Sequence, residues 1–138
     1  MSGNHIYDVP RIGIRFSGNE NVIEYNYIHH VNRETNDSGA IYTVGRSWVR
    51  RGNVIRYNYI DDTGGYHIVG GVARHPYNTH GIYLDDWASG NQVVYNTVKS
   101  SYFAGVFVHG GRDNQIEHNT IVEPINGAGV MFSEWTVT

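Results

Sequence analysis

A chain of 138 residues has room for one ordinary domain, and a net charge of −3 with Lys99 as its only lysine excludes a basic patch for nucleic acid. The absence of cysteine excludes disulfides and thiolate metal sites, and the absence of an apolar run of about 18 residues argues against a membrane-spanning helix. No signal peptide is predicted at the N-terminus, so the compartment stays open, with a secreted or periplasmic parent protein as one expectation.

A phrase of the form Asn-x-[Ile/Val]-x-x-Asn-x-[Ile/Val] is repeated along the chain. Its copies begin at Asn21, Asn53, Asn91 and Asn114, and a clipped copy opens the chain at Asn4. A phrase that recurs once per coil is typical of a parallel β-helix. The repeated asparagine is interpreted as structural, because it tolerates the left-handed backbone of a corner and its amides can bond along the coil axis as a ladder.

A second marker, a glycine followed by alternating apolar residues, lies between the phrases. It begins at Gly13, Gly39, Gly81, Gly105 and Gly129. The two markers together predict an all-β fold, with three short strands per coil and between four and five coils. We expect one β-helix segment over residues 1–138, with insertions at 29–38, 44–52 and 61–80.

The sequence shows no end caps, although solenoids need a polar repeat at each end. The chain is therefore expected to be a fragment of a larger protein, and a fragment of an enzyme can be inactive alone. Uncapped coil ends expose strand edges and apolar core, so end-to-end association of identical chains is a further expectation.

Side chains of a strand point alternately in and out, so counting from each glycine predicts which residues face the core. The predicted inward set is Ile14, Phe16, Ala40, Tyr42, Ile82, Leu84, Val106, Val108, Val130 and Phe132. The predicted outward set is Arg15, Ser17, Ile41, Thr43, Tyr83, Asp85, Phe107, His109, Met131 and Ser133.

Two polar side chains of the outward set fall on neighbouring coils. Asp85 and His109 should lie about 4.8 Å apart and interact, with Tyr83 and Phe107 beside them. A carboxylate, an imidazole and aromatic faces on one surface suit sugar binding and acid–base chemistry. Thr43 belongs to the same predicted column and is a candidate for substrate binding. The alternative is a polar exposed strand with incidental aromatic packing.

Further charged residues leave the same surface. Arg46 and Arg112 are candidates to grip a carboxylate or polarise a hydroxyl, or else they are solvated turn residues. Asp86 either caps the turn after Asp85 or joins it in binding Ca²⁺. We predict no metal site and no cofactor, with Ca²⁺ entering only under the lyase alternative described below.

Four blocks of the sequence resemble one family of proteins. The blocks are Asp37-Ser-Gly-Ala-Ile-Tyr42, Arg51-Gly-Asn-Val-Ile-Arg-Tyr-Asn58, Gly81-Ile-Tyr-Leu-Asp-Asp86 and His109-Gly-Gly-Arg-Asp-Asn114. They resemble right-handed, pectate-lyase-like β-helix glycoside hydrolases, in particular the family with fucosidases and xylanases that act on plant cell-wall glycans. The resemblance implies a right-handed coil along nearly the whole chain.

The resemblance also implies a pair of catalytic acids, Asp37 with either Asp85 or Asp86. One carboxyl would protonate the leaving oxygen, and the other would act as nucleophile or activate water. Asp37 lies two positions before its glycine and Asp85 four after the next, and in flat strands an offset of six residues is about 20 Å. The pair therefore requires the loop at 29–38 to curl over the strands.

Three functions follow as hypotheses, each with a polysaccharide or oligosaccharide as partner and without nucleic acid or membrane. The first is a glycoside hydrolase, or a segment of one. The second is a polysaccharide lyase or epimerase that holds Ca²⁺ on acidic residues and takes a proton with a basic residue. The third is a non-catalytic repeat that binds glycans or assembles as a scaffold.

Overall fold

The computed structural model describes residues 1–134, and strands of three stacked sheets dominate it. The first sheet contains β3 (Val22–Glu24), β6 (Val54–Arg56), β11 (Gln92–Val94) and β14 (Gln115–Glu117). The second contains β1 (His5–Tyr7), β4 (Tyr27–His29), β7 (Tyr59–Asp61), β12 (Thr97–Lys99) and β15 (Thr120–Val122). The third contains β2 (Ile14–Arg15), β5 (Ser38–Val44), β10 (Thr79–Asp85), β13 (Ala104–His109) and β16 (Ala128–Ser133).

Every neighbouring pair of strands in these sheets is parallel, and each pair joins successive coils. An opening coil with β1 and β2 is followed by four coils that each contribute one strand to every sheet. The prediction of a parallel β-helix with three short strands per coil is confirmed. Over residues 1–134 no helix is long and apolar enough to span a membrane.

The core is a set of stacked aliphatic columns inside the coil. In the three-residue strands the middle side chain points inward, so Ile28, Ile60 and Val98 stack in the second sheet and are fully buried. Ile23, Ile55 and Val93 stack in the same way in the first sheet and are at most 1 % exposed. β-Branched residues suit this pleated, tightly stacked interior, because their restricted side chains pack well against the coil above and below.

An antiparallel hairpin interrupts the longest connection between coils. Strands β8 (His67–Val69) and β9 (Val72–Arg74) pair with each other and join β7 to β10. Gly70 and Gly71 form its turn with positive φ, a conformation that glycine adopts without steric cost. The side chains of both strands are exposed, so the hairpin projects from the coil.

Two asparagine ladders run the length of the coil, as predicted. In one, each side-chain amide donates to the Oδ1 of the asparagine in the next coil, at 2.9 Å from Asn26 to Asn58 and 3.0 Å from Asn58 to Asn96. Asn4 and Asn119 complete this ladder. The other joins Asn21, Asn53, Asn91 and Asn114 by the same kind of bond.

The corner beside the longer ladder differs from the prediction. The left-handed residue is the one that precedes each asparagine, with φ of 54° at Tyr25, 53° at Tyr57, 57° at Tyr95 and 54° at His118. A bulky residue with positive φ costs on the order of 1 kcal/mol or more. The asparagine offsets that cost, because its buried side chain also caps backbone carbonyls at the turn, as Asn58 does for Ile23 and Arg56. The four rings stack along the axis with centroids 5.0–5.4 Å apart.

Candidate functional site

The third sheet is bent, and the bend brings distant residues together. His80 and Tyr83 are three positions apart, so a flat strand would place them on opposite faces. Their rings instead lie on the same side, with centroids 4.7 Å apart. The bend falls at Gly81, where a Cβ atom would lie 2.4 Å from Val98 Cγ1 and 2.5 Å from the Gly105 carbonyl oxygen. Glycine is required at this position because neighbouring coils fill the space of a side chain.

The predicted orientation was wrong for one strand, β5. Its Ile41 pairs with Ile82 and is fully buried, whereas Tyr42 pairs with Tyr83 on the outward side. The count began at Gly39, but Ala40 is the residue that occupies the position of the bend. Matching the apolar Ile41 to Ile82, rather than matching the glycines, would have given the observed register.

This shift removes Thr43 from the predicted outward column. Thr43 pairs with Leu84, is 5 % exposed, and its hydroxyl donates to the Phe16 carbonyl oxygen at 3.0 Å. Thr43 therefore faces the interior of the coil and is not available to a ligand. Tyr42, which was predicted to face the core, takes its place on the surface of the site.

Aromatic side chains cover the outer face of the bent sheet. Tyr83 stacks on Phe107 with centroids 4.8 Å apart, and Tyr42 meets Tyr83 edge-on at 5.4 Å. Tyr83 and Phe107 point outward as predicted, but they are only 2 % and 8 % exposed. They do not offer a ring face to a ligand. Together with His80 they form a small apolar layer outside the coil that supports the polar groups above it.

Asp85 is the most heavily hydrogen-bonded acid of this face. Its Oδ2 accepts a bond from the Tyr42 hydroxyl at 2.7 Å, and its Oδ1 lies 2.9 Å from His109 Nδ1 and accepts the Asp86 N–H at 2.8 Å. The predicted contact between Asp85 and His109 is thus present. Burial acts to raise the pKa of Asp85, but the bonds from Tyr42, His109, Asp86 and Tyr83 outweigh it and lower the pKa below 3.8. Asp85 is therefore an ionised carboxylate at neutral pH.

Two tyrosines near Asp85 keep their protons, and a buried histidine stays neutral. Burial, together with the neighbouring acids, raises the pKa of both Tyr42 and Tyr83, so both hydroxyls remain donors. Burial also lowers the pKa of His80 to about 3, so this imidazole is neutral at neutral pH. The Asp85 carboxylate thus lies near two protonated tyrosine hydroxyls and a neutral imidazole.

Asp37 lies close to Asp85 despite their separation along the chain. It stands in a left-handed conformation, with φ of 50°, just before β5, and its side chain is exposed. The Tyr83 hydroxyl donates to Asp37 Oδ1 at 3.4 Å and lies near enough to Asp85 to help lower the pKa of that acid. Both carboxyl groups also line the same cleft, so the two acids face one shared space. The flat-strand distance was wrong because the strand bends at Ala40 and Gly81 and because Tyr83 reaches back toward Asp37.

Asp86 is tied to an arginine. It is 6 % exposed, has φ of 45° at the end of β10, and accepts a short hydrogen bond from Arg46 Nε. Arg46 itself is largely exposed, so its guanidinium closes the turn over Asp86 and still faces solvent. The turn position predicted for Asp86 is observed, whereas the binding of a substrate group by Arg46 stays a prediction.

A main cleft of about 590 Å³ contains most of these groups. Its charged and hydroxyl-bearing lining is Arg15, Asp37, Tyr42, Arg46, Ser47, Arg50, Asp85 and Asp86. A side cleft of about 340 Å³ shares Arg15, Asp37 and Tyr42 with it and adds Arg11. The two clefts therefore form one depression along the outer edge of the third sheet, with the acid pair on its floor.

Five predicted site residues do not line this depression: Thr43, Tyr83, Phe107, His109 and Arg112. Arg112 lies over the ring of Trp48, with its guanidinium carbon 3.8 Å from the ring centroid, and is absent from the cleft lining. Arg15 and Arg50 were not singled out from the sequence. Arg15 could have been found from its place in the predicted outward set, which also holds Tyr83, and Arg50 from its place in the insertion at 44–52.

Three side chains offer a set of ligand atoms for a metal ion. The ligand atoms of Asp85, Asp86 and His109 all lie within 4.8 Å of one another. The carboxylates already accept bonds from Tyr42 and Arg46, so a cation would have to compete with a guanidinium. The arrangement allows a hard cation such as Ca²⁺ but satisfies its own charges without one.

Comparison with known proteins identifies the fold family. The model of the right-handed β-helix region matches residues 1–121, and the chain belongs to this family. Searches among curated proteins and among solved structures found no significant match. The family match shows a right-handed β-helix fold. It does not show membership of the glycoside hydrolase family that the sequence blocks resemble.

Proposed function

We propose that this β-helix is carbohydrate-active and that it is a glycoside hydrolase, or part of one, acting on polysaccharides of the plant cell-wall type. The observation that carries the proposal is the pair Asp37 and Asp85, which line one open cleft with the Tyr83 hydroxyl close to both. The main and side clefts share lining residues, so the site continues beyond the acids and has room for more than one sugar unit. The resemblance of the sequence blocks supports the choice of substrate.

The environments of the two acids suggest different roles. Asp85 is ionised and held by several donors, which suits a nucleophile or a base that activates water. Asp37 is exposed on the loop before β5, where its carboxyl group is accessible to the leaving oxygen and can protonate it. Two acids that face one cleft allow either the retaining or the inverting mechanism. The anomeric form of the first product, read by proton NMR, decides between them.

Substitution of Asp85 tests the proposal. The wild-type chain should release reducing ends from a cell-wall polysaccharide, and Asp85→Asn should lower that rate by a factor on the order of 10³, the usual scale for a catalytic acid or base. Asp113→Asn is the matched control, because Asp113 is an exposed acid that pairs with Arg51 outside the cleft. Equal rates in the wild type and in Asp85→Asn would refute the assignment.

The same assay separates the alternative functions. The cluster of Asp85, Asp86 and His109 favours the lyase or epimerase alternative, which predicts a Ca²⁺-dependent rate and, for a lyase, an unsaturated product that absorbs ultraviolet light. A scaffold that only binds glycans predicts no turnover by the wild type and binding that survives Asp85→Asn.

A further inference from the structure

The arginines of this chain fall into two groups by their partners. Lys99 is the only lysine among ten basic side chains, so the other nine are arginines. Five of them form ion pairs with acids: Arg33, Arg46, Arg51, Arg56 and Arg112. Within residues 1–134 no acid pairs with the remaining four: Arg11, Arg15, Arg50 and Arg74.

All four unpaired arginines line clefts. Arg11 and Arg15 line the side cleft, and Arg15 and Arg50 line the main cleft. Arg74 lines a separate cleft of about 380 Å³ beside Tyr77 and Tyr102. A solvated arginine needs no partner, so being unpaired is not informative by itself. The location is informative, because three of the four converge on the depression that holds the acid pair.

The three arginines reach this depression from different parts of the fold. Arg15 stands on β2 and pairs in register with Tyr42, whose hydroxyl bonds Asp85. Arg11 precedes β2, and Arg50 lies in the loop that follows β5. Arg15 is therefore one coil, about 4.8 Å, from Tyr42 on the side away from β10. The cations surround the position next to the acid pair rather than the acids themselves.

The charge of the depression is the opposite of that of the chain. Asp86 is matched by Arg46, which leaves Asp37 and Asp85 as its other acids against the three unpaired guanidinium groups. The depression thus carries a local excess of positive charge, whereas the whole chain has a net charge of −3. Since a guanidinium presents a planar fork of donors, it is suited to bind a carboxylate or a sulfate with two parallel hydrogen bonds.

We propose that the glycan bound in this depression is anionic, with a carboxylate or sulfate group on the sugar that lies beside Arg15, next to the acid pair. The inference rests on the proposed function, because it takes the depression to be the glycan site. The anion occupies the end of the depression near β2, where Arg11, Arg15 and Arg50 can reach it. The sugar to be cleaved lies on the β10 side, over Asp85.

Binding of matched oligosaccharides tests the proposal. Calorimetry on the wild-type chain compares an oligogalacturonate, its methyl ester, a sulfated galactan oligosaccharide and a neutral xylo-oligosaccharide. We expect the oligogalacturonate to bind at least about 10-fold more tightly than its methyl ester, the scale of one hydrogen bond between charged groups. Its binding should weaken as salt is added. If the sulfated oligosaccharide binds more tightly than the oligogalacturonate, sulfate is the anion.

Substitution of single arginines locates the contact. Arg15→Gln should lower the affinity for the anionic oligosaccharide by about 10-fold and leave that for the neutral one unchanged. Arg56→Gln is the matched control, because Arg56 pairs with Glu24 on the first sheet and lines neither part of the depression. An equal loss of affinity in both variants would overturn the proposal.

The outcomes also separate this inference from the proposed function. If the methyl ester or the neutral oligosaccharide binds as tightly as the acid, the anionic substrate is wrong while a glycan site remains. If the chain neither binds nor cleaves any of the four, the proposed function is wrong and the inference falls with it.

Discussion

Replacing Tyr42 with phenylalanine removes one hydroxyl from the site and keeps the ring. That hydroxyl donates to Asp85 Oδ2 at 2.7 Å, and among the hydrogen bonds to Asp85 it lowers the pKa of this acid most. A hydrogen bond to a charged group is worth about 1.5–3 kcal/mol, and one pKa unit corresponds to about 1.4 kcal/mol. Asp85 borders an open cleft, so water will replace part of the bond. We therefore expect Tyr42→Phe to raise the pKa of Asp85, with a loss of free energy smaller than that of a fully buried bond.

Carbon NMR of the Asp85 carboxyl, followed across pH, measures this shift directly. Tyr59→Phe is the matched control, because Tyr59 is an exposed ring on the second sheet, away from the cleft. If Asp85 titrates at the same pH in Tyr42→Phe as in the control, the hydrogen bonds do not set its charge. The role of Asp85 as an ionised group would then lose its physical basis.

The same shift predicts how stability depends on pH. The folded pKa of Asp85 lies below the unfolded value, so the folded state binds the proton less readily. The resulting stabilisation is present above the unfolded pKa of about 3.9 and is lost as the pH falls through the folded pKa. Tyr42→Phe should therefore be less stable than the wild type at neutral pH, and the difference should shrink in acid. Urea unfolding of both proteins, at neutral pH and at a pH below the folded pKa of Asp85, measures this difference in stability.

Two further predictions concern the coil itself. Asn58→Ala leaves buried amides and carbonyls in two neighbouring coils without partners, and it should lower the free energy of unfolding in urea by about 3–5 kcal/mol. Asn4→Ala changes the exposed end of the same ladder and should lower it by only about 1 kcal/mol. Equal losses in the two variants would show that the ladder does not hold the coils together. Gly81→Ala should lower the melting temperature, because the new Cβ would lie less than 3.0 Å from backbone and side-chain atoms. Gly129→Ala, in the same column, should leave the melting temperature nearly unchanged, because the nearest atoms are 3.9 Å or more from its Cβ. A larger loss in Gly129→Ala than in Gly81→Ala would refute the steric account of the bend.

The fold could be predicted from the sequence because its repeat records a periodic set of contacts. Each asparagine bonds the one in the next coil, so the spacing of the phrase gives the length of a coil directly. The backbone of the corner could not be predicted in the same way. Both Tyr57 and Asn58 are repeated at the turn, and only the structure shows that the tyrosine is left-handed while the asparagine supplies the bonds.

The site was predicted in part, for reasons that trace to one bend. The contact between Asp85 and His109 depends only on neighbouring positions in the register, and it was predicted. The proximity of Asp37 to Asp85 depends on the path of the strand through Ala40 and Gly81, which no alternation of side chains records. The burial of Tyr83 was not predicted either. The alternation of side chains shows that Tyr83 points out of the coil, but it does not show that other side chains cover the ring there.

The ladder of asparagines and stacked rings has a consequence for how such a chain can evolve. Every coil presents the same amide and the same left-handed corner to the coil above and to the coil below. A gene duplication that inserts one whole coil therefore adds a unit whose two contact surfaces already match its new neighbours. Growth in length is thus modular, whereas the acid pair depends on loops particular to single coils, so lineages can lengthen the scaffold and diversify their chemistry independently.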